Sequence, residues 1–114
     1  MITKTLDPVS NAETWTDHLE FIDDETEEAW FLEGSPPDEI TIRLRDSSTG
    51  NIVLTGTLTG GEIEVVDDGI AEFTFSASAM SALDPKTYEV GVLLTDEDVT
   101  RQVILGHLPV LSGL

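Results

Sequence analysis

Apolar residues return at every second position in run after short run of this chain, and that period admits few architectures. Successive side chains of a strand point to opposite faces, so a period of two marks a strand with one buried side. Trp15, Leu19 and Phe21 share one parity, with Asp17 breaking it. Ile40, Ile42 and Leu44 share another, while Thr41, Arg43 and Arg45 take the opposite face. Ile52, Leu54 and Leu58 follow, then Ile63 and Val65, then Phe73 and Phe75, then Tyr88, Val90, Val92 and Leu94. Val103 and Leu105 continue a last run toward Val110.

Turn residues punctuate these runs. Asp23-Asp24-Glu25-Thr26-Glu27-Glu28 reads as a charged loop, and Gly34-Ser35-Pro36-Pro37-Asp38 as a break enforced by proline. Ser47-Ser48-Thr49-Gly50-Asn51 separates Leu44 from Ile52, and Gly60-Gly61 and Asp67-Asp68-Gly69 supply glycine where a positive φ is expected. Asp96-Glu97-Asp98 closes the last hairpin. About seven short strands at roughly 10-residue spacing predict an all-β, antiparallel β-sandwich. One segment has helical character: SASAMSAL, from Ser76 to Leu83, is alanine-rich with serine available as a cap. It is too short to stand alone, so it reads as one helical turn linking two strands. Asp84-Pro85 ends it, because the residue before proline is pushed out of the helical region.

The 114 residues make one domain, long enough to bury a core without staples. There is no cysteine, so no disulfide holds it, which fits assembly in a reducing cytoplasm. Met1-Ile2-Thr3-Lys4 is not followed by the apolar run of a signal peptide, and no stretch has the length of a membrane span. Charge is the outlier: 23 acidic residues against 5 basic ones give a formal net charge of -18. Such a chain repels nucleic acid and anionic membranes. Its acidity reads first as a solvated face suited to a salty medium, and second as the complement of a basic partner.

No chemistry converges in the sequence. His18 and His107 lie nearly ninety residues apart, and nothing brings a general-base partner to either. The loop carboxylates lack the D-x-D-x-D-G spacing of an EF-hand, leaving calcium in a loop as a minor alternative. Phosphate-binding and nucleophile-elbow motifs are absent. The expectation is a non-enzyme with no catalytic, cofactor-binding or metal residues. Four residues stand out as candidate partner contacts. Trp30 and Phe31 form an apolar cluster inside an acidic stretch, where core packing is the alternative. Arg43 and Arg45 share one strand face, able to grip a neighbour's carboxylates or to balance local acid, while Lys4, Lys86 and Arg101 are scattered.

Leu83-Asp84-Pro85-Lys86-Thr87-Tyr88 narrows the sandwich type. In immunoglobulin-like domains a tyrosine near the start of a late strand bonds back to backbone a few residues upstream. The single tyrosine, just after a cross-over turn, fits that corner and predicts an Ig-like sandwich.

The whole chain resembles the small Ig-like β-sandwich virion proteins of tailed bacteriophages, and is similar to the N-terminal module of some phage baseplate proteins. The resemblance runs from about Thr14 to Val110. It rests on Trp30-Phe31-Leu32-Glu33-Gly34, the strand Ile40-Thr41-Ile42-Arg43-Leu44-Arg45-Asp46, Gly61-Glu62-Ile63 and Gly69-Ile70-Ala71-Glu72-Phe73, and the late hairpin with Tyr88 and Leu93-Leu94-Thr95-Asp96. The chain departs from the pattern in Thr87, where glycine is usual, and in its acidity. The resemblance implies a non-enzymatic virion structural protein, made in the bacterial host cytoplasm and present as a homo-oligomer or in high copy number. Head decoration or cement is the first expectation, with neck, tail or baseplate as the alternative and other virion proteins as partners. It carries over no functional residue, and the acidity of the chain argues against direct contact with nucleic acid or membrane. An Ig-like glycan- or ligand-binding surface module is the competing class, and it requires a cleft with exposed aromatics. The expected layout is an N-terminal arm at 1–13 able to dock, the sandwich at 14–110, and a tail at 111–114.

Overall fold

The structure, a computed structural model, describes residues 2–3, 8–23 and 25–113, with 2–3 and 103–105 described by their backbone alone. In chain order the elements are β1 (Ile2–Thr3), β2 (Val9–Ser10), β3 (Trp15–Phe21), β4 (Glu39–Arg45), β5 (Ile52–Thr57), β6 (Ile63–Asp67), β7 (Ile70–Phe75), α1 (Ala77–Met80), β8 (Thr87–Asp96) and β9 (Val99–Leu111). The seven longer strands, β3 to β9, are those that the alternation marks; two short N-terminal strands add to them. One sheet has the order β1-β3-β7-β6 and the other β2-β9-β8-β4-β5. Those orders, with β3–β4, β5–β6 and β7–β8 crossing between sheets, are the two layers of an Ig-like sandwich.

Between the layers lies one apolar core. Trp15, Leu19 and Phe21 of β3 and Ala71, Phe73 and Phe75 of β7 meet Ile40, Ile42 and Leu44 of β4 and Tyr88, Val90, Val92 and Leu94 of β8. Trp15 stands edge-on to Phe73 at 4.8 Å and stacks with Phe75 at 5.8 Å. Gly56 is part of this fit, because a Cβ there would come 2.9 Å from the Phe75 ring. Ile52 departs from its expected inward face and is 48% exposed. Leu44 pairs Leu54 but Arg45 pairs Ile52, so a bulge on β5 turns Ile52 out alongside Arg45. The side chains of Val103 and Leu105 lie outside the described residues.

Turn chemistry follows the sequence. Glu97 (φ 48°) and Asp98 (φ 68°) form the two-residue turn joining β8 to β9, Gly61 and Gly69 take the positive φ expected of them, and Gly50 in the β4–β5 turn does so too. The helical segment contracts to the single turn α1, its Ser76 Oγ accepting from the Ala79 N–H at 3.1 Å and its Met80 buried. Tyr88, at the start of β8, donates its hydroxyl to the Asp84 carbonyl at 2.9 Å, which is the corner that its position predicted.

One pairing is parallel: Val9 lies beside Val110 and Ser10 beside Leu111. The Asn11 side chain then donates to the Leu83 carbonyl at 3.0 Å and accepts from the Gly113 N–H at 2.9 Å. The described parts of 1–13 and 111–114, read from the sequence as an arm and a tail, are thus bonded to each other and to the sandwich. Residues 1, 4–7 and 114 lie outside the described ones.

Polar side chains lock the two ends of β4. At its start, the Glu39 carboxylate accepts from the backbone N–H of Ile40, Leu58 and Thr59 and from the Thr59 hydroxyl. Burial pushes its pKa up, but these bonds outweigh burial and hold it below the ordinary value. Just beyond its end, Asp46 accepts from Lys86 Nζ, Ser48 N–H and Ser48 hydroxyl. The Lys86 bond first, then those from Ser48, lower its pKa to about 2.

Tyr88→Phe deletes the corner hydroxyl and keeps the ring, so urea unfolding should show a loss of about 1 kcal/mol with an unchanged m-value. Asp46 has a depressed folded pKa, so its contribution is present above the unfolded value of about 3.9 and is lost as pH falls through about 2. Asp46→Asn should therefore lower the urea midpoint near neutral pH, and the gap to the parent should close between about pH 4 and pH 2.

Candidate functional site

The four candidate contacts do not share one place. Phe31 is 5% exposed and packs on Phe21 at 5.5 Å, so it belongs to the core. Its apolar neighbours in sequence gave no means of telling core from surface, because Leu32 beside it is 57% exposed. The segment is fixed by backbone bonds: Trp30 N–H to the Phe21 carbonyl at 2.9 Å, Phe21 N–H to the Gly69 carbonyl at 2.7 Å, and Gly69 N–H to the Phe31 carbonyl at 2.9 Å. Gly69 has no room for a Cβ, which would meet Ala29 at 2.8 Å.

Trp30, half-buried, borders a cleft of ≈ 470 Å³ between the loop after β3 and the β8–β9 turn. The Arg101 guanidinium lies over its ring, 4.6 Å from the centroid. Ala29, Leu94 and Val99 supply apolar wall, and Asp23, Glu28, Asp96 and Glu97 supply carboxylates. Hydrogen bonds from the Glu25 and Thr26 N–H groups to its side chain hold Asp23 below its usual pKa. The Trp30 Nε1 is buried with no hydrogen-bond partner among the described residues. The pairing of Arg101 with Trp30 joins residues 71 positions apart, which no local pattern in the sequence marks.

Arg43 and Arg45 do share one place, the outer face of the five-stranded sheet. Arg45 donates to its cross-strand partner Glu89 at 2.6 Å. Arg43 stands between Thr55 and Gly91 and has no carboxylate partner among the described residues. Gly91 leaves a depression of ≈ 140 Å³ beside the two arginines, with Ile52, Leu93 and Gln102 on its rim. The adjoining β5 edge belongs to an uncharged stretch at 47–61, fifteen residues long in a chain rich in acid.

The opposite outer face, on the four-stranded sheet, is acidic. The register brings Glu20, Glu64 and Glu72 to one side with Thr16, His18 and Thr74. His18 Nε2 lies 3.1 Å from Glu72, and the two threonine hydroxyls bond across β3 and β7 at 3.2 Å. His107 is exposed on the five-stranded sheet, so the two histidines stay apart. Among the described residues no group of three or more His, Asp or Glu is placed to hold a metal ion, and no helix is long and apolar enough to cross a membrane. Asp24, in the acidic loop, and Lys4 lie outside the described residues.

No protein-family model matches the chain, and no curated protein sequence is similar to it. Among solved structures it is similar to the X-ray structure of the endo-beta-1,4-mannanase from Thermotoga petrophila, with a TM-score of 0.57 and 13% identity. The match covers 94% of this chain and 18% of that one. At this identity the likeness is one of fold and carries no activity to this chain.

The division between core and surface is open to direct measurement. Phe31→Ala should cost about 3–5 kcal/mol in urea unfolding, as a buried ring does. Arg43→Ala should stay within about 0.5 kcal/mol of the parent, as substitution of an exposed surface residue does.

Proposed function

We propose that this chain is a non-catalytic Ig-like module that docks on a larger assembly. In line with the resemblance in its sequence, we take it to be a virion structural protein of a tailed bacteriophage, with head decoration as the first reading. Neck, tail or baseplate is the alternative position. The observation that carries the docking reading is the segregation of charge between the two outer faces. Protein interfaces lose Asp, Glu and Lys from their centres and keep Arg among apolar and uncharged polar residues. The outer face of the five-stranded sheet has that composition: an Arg43 with no carboxylate partner among the described residues, an Arg45 already paired with Glu89, and Ile52, Leu93, Thr55 and Gln102 around a glycine floor. In a protein of net charge -18, a face this poor in acid is where another macromolecule approaches against least repulsion.

A ligand-binding module is the second reading, favoured by one feature. The cleft beside Trp30 combines an aromatic edge, a guanidinium and several carboxylates at the loop end of the sandwich. Loops on a rigid scaffold often carry binding sites.

Quantitative mass spectrometry of purified particles separates these readings. Copies in a simple ratio to the major capsid protein support head decoration; a count near that of a tail or neck ring supports the alternative position. Absence from particles sinks the structural reading and leaves the ligand-binding module.

A further inference from the structure

We propose that the docking face accepts a second copy of this chain, the outer face of one copy's five-stranded sheet lying on the outer face of the next copy's four-stranded sheet, in an association that strengthens with salt. The inference rests on the docking reading above and names the occupant of that face.

Charge complementarity between the two faces is the first ground. Arg43 and Arg45 against Glu89 leave the centre of the five-stranded face with a net positive charge. Glu20, Glu64 and Glu72 make the four-stranded face negative. Arg43 has no carboxylate partner among the described residues of its own chain, and the four-stranded face of a second copy brings three carboxylates. Self-contact of either face would bring charge of one sign onto the same sign, a net-positive centre onto its copy or three glutamates onto three. Each face also has exposed apolar area: Ile52 and Val53 beside the arginines, and Val66 beside Glu64. The second ground is size. The molecule measures 42 × 23 × 23 Å, so a broad face has about the footprint of a standard interface, roughly 800 Å² per partner. Face-to-face sheets pack with interdigitated side chains, and the threonines and small residues here leave room for that. A contact between two different faces is heterologous: it leaves a free face at each end and propagates as a ring or stack.

Salt sets the condition. Two copies of net charge -18 repel over a distance comparable to the Debye length. That length is ~10 Å at 0.1 M salt and ~3 Å at 1 M. An arginine–carboxylate pair in contact lies within the shorter length, while the repulsion between whole molecules does not. Raising salt therefore removes more repulsion than attraction, the reverse of the usual behaviour of an ion-paired contact.

Sedimentation equilibrium of the full chain at about 0.1 M and about 1 M NaCl tests this. The expected result is a monomer at the lower salt, and at the higher salt a mass that grows with concentration past the dimer. Arg43→Glu alone and Glu72→Arg alone should each weaken association at least about tenfold. The double variant Arg43→Glu/Glu72→Arg, with the charges exchanged between faces, should recover it. Both positions are on the surface, and circular dichroism checks that each variant is folded. A chain that stays monomeric at the higher salt overturns the proposal and leaves the face to a different protein. So does association that ignores Arg43→Glu, or a double variant no better than the singles. None of these outcomes alters the copy number in particles, so failure here is distinct from failure of the docking reading.

Discussion

The two sheets are closed over a single apolar layer without a covalent link, because the chain has no cysteine. Every other feature depends on that closure. The rings of Trp15, Phe73 and Phe75 at one end and of Phe21, Phe31 and Trp30 at the other span the gap between layers, and aliphatic side chains of β4 and β8 fill it from the facing side. Burial of such rings is worth several kcal/mol each, against a total stability of only about 5–15 kcal/mol for a domain. The turns and corners act on top of this layer. Tyr88 contributes its ring to the core and its hydroxyl to the crossing that precedes β8, so one residue fixes both the packing and the path of the chain.

Charge is distributed in a way that such a small core requires. Carboxylates that serve the fold sit where several donors converge: Glu39 gathers backbone N–H groups at one end of β4, and Asp46 meets Lys86 and Ser48 at the other. Glu20, Glu64 and Glu72 lie on the outer face of the four-stranded sheet, Glu89 lies on that of the five-stranded one, and further carboxylates lie in the described loops. The few cations are spent locally. Lys86 holds Asp46, Arg45 holds Glu89, and Arg101 covers Trp30. Among the described cations Arg43 has no carboxylate partner, and it lines an open depression together with Arg45 on the outer five-stranded face.

The N-terminal segment shows how a sandwich of this kind manages its edges. A two-residue strand at Val9–Ser10 covers one edge of the five-stranded sheet in parallel with β9, and Asn11 ties the ends of the chain together. At the other edge β5 is bulged, and the Glu62 carboxylate accepts the Thr57 N–H at 3.1 Å. Bulges and capped edges limit unspecific strand pairing. Both edges of the five-stranded sheet are thus less open to strand addition.

Much of this was legible in the residues. Alternation at period two identified the seven long strands, and turn residues placed their boundaries, since both are local properties of the backbone. The place of Tyr88 after Asp84-Pro85 predicted its hydrogen bond, because the bond spans only four residues. The candidate sites were less legible. Nothing local distinguishes Phe31, which the core takes, from Leu32 or Trp30, which it leaves wholly or partly outside. The parity of Ile52 was inverted by a bulge that depends on the partner strand β4. Arg101 reaches Trp30, and Arg43 finds Gly91 opposite it, only after distant segments meet. The sequence by itself determined which stretches are strands and that two layers must bury their common side. Only the tertiary structure decided which residues face each other across strands and sheets, because register and sheet order are set by contacts between positions far apart in the chain.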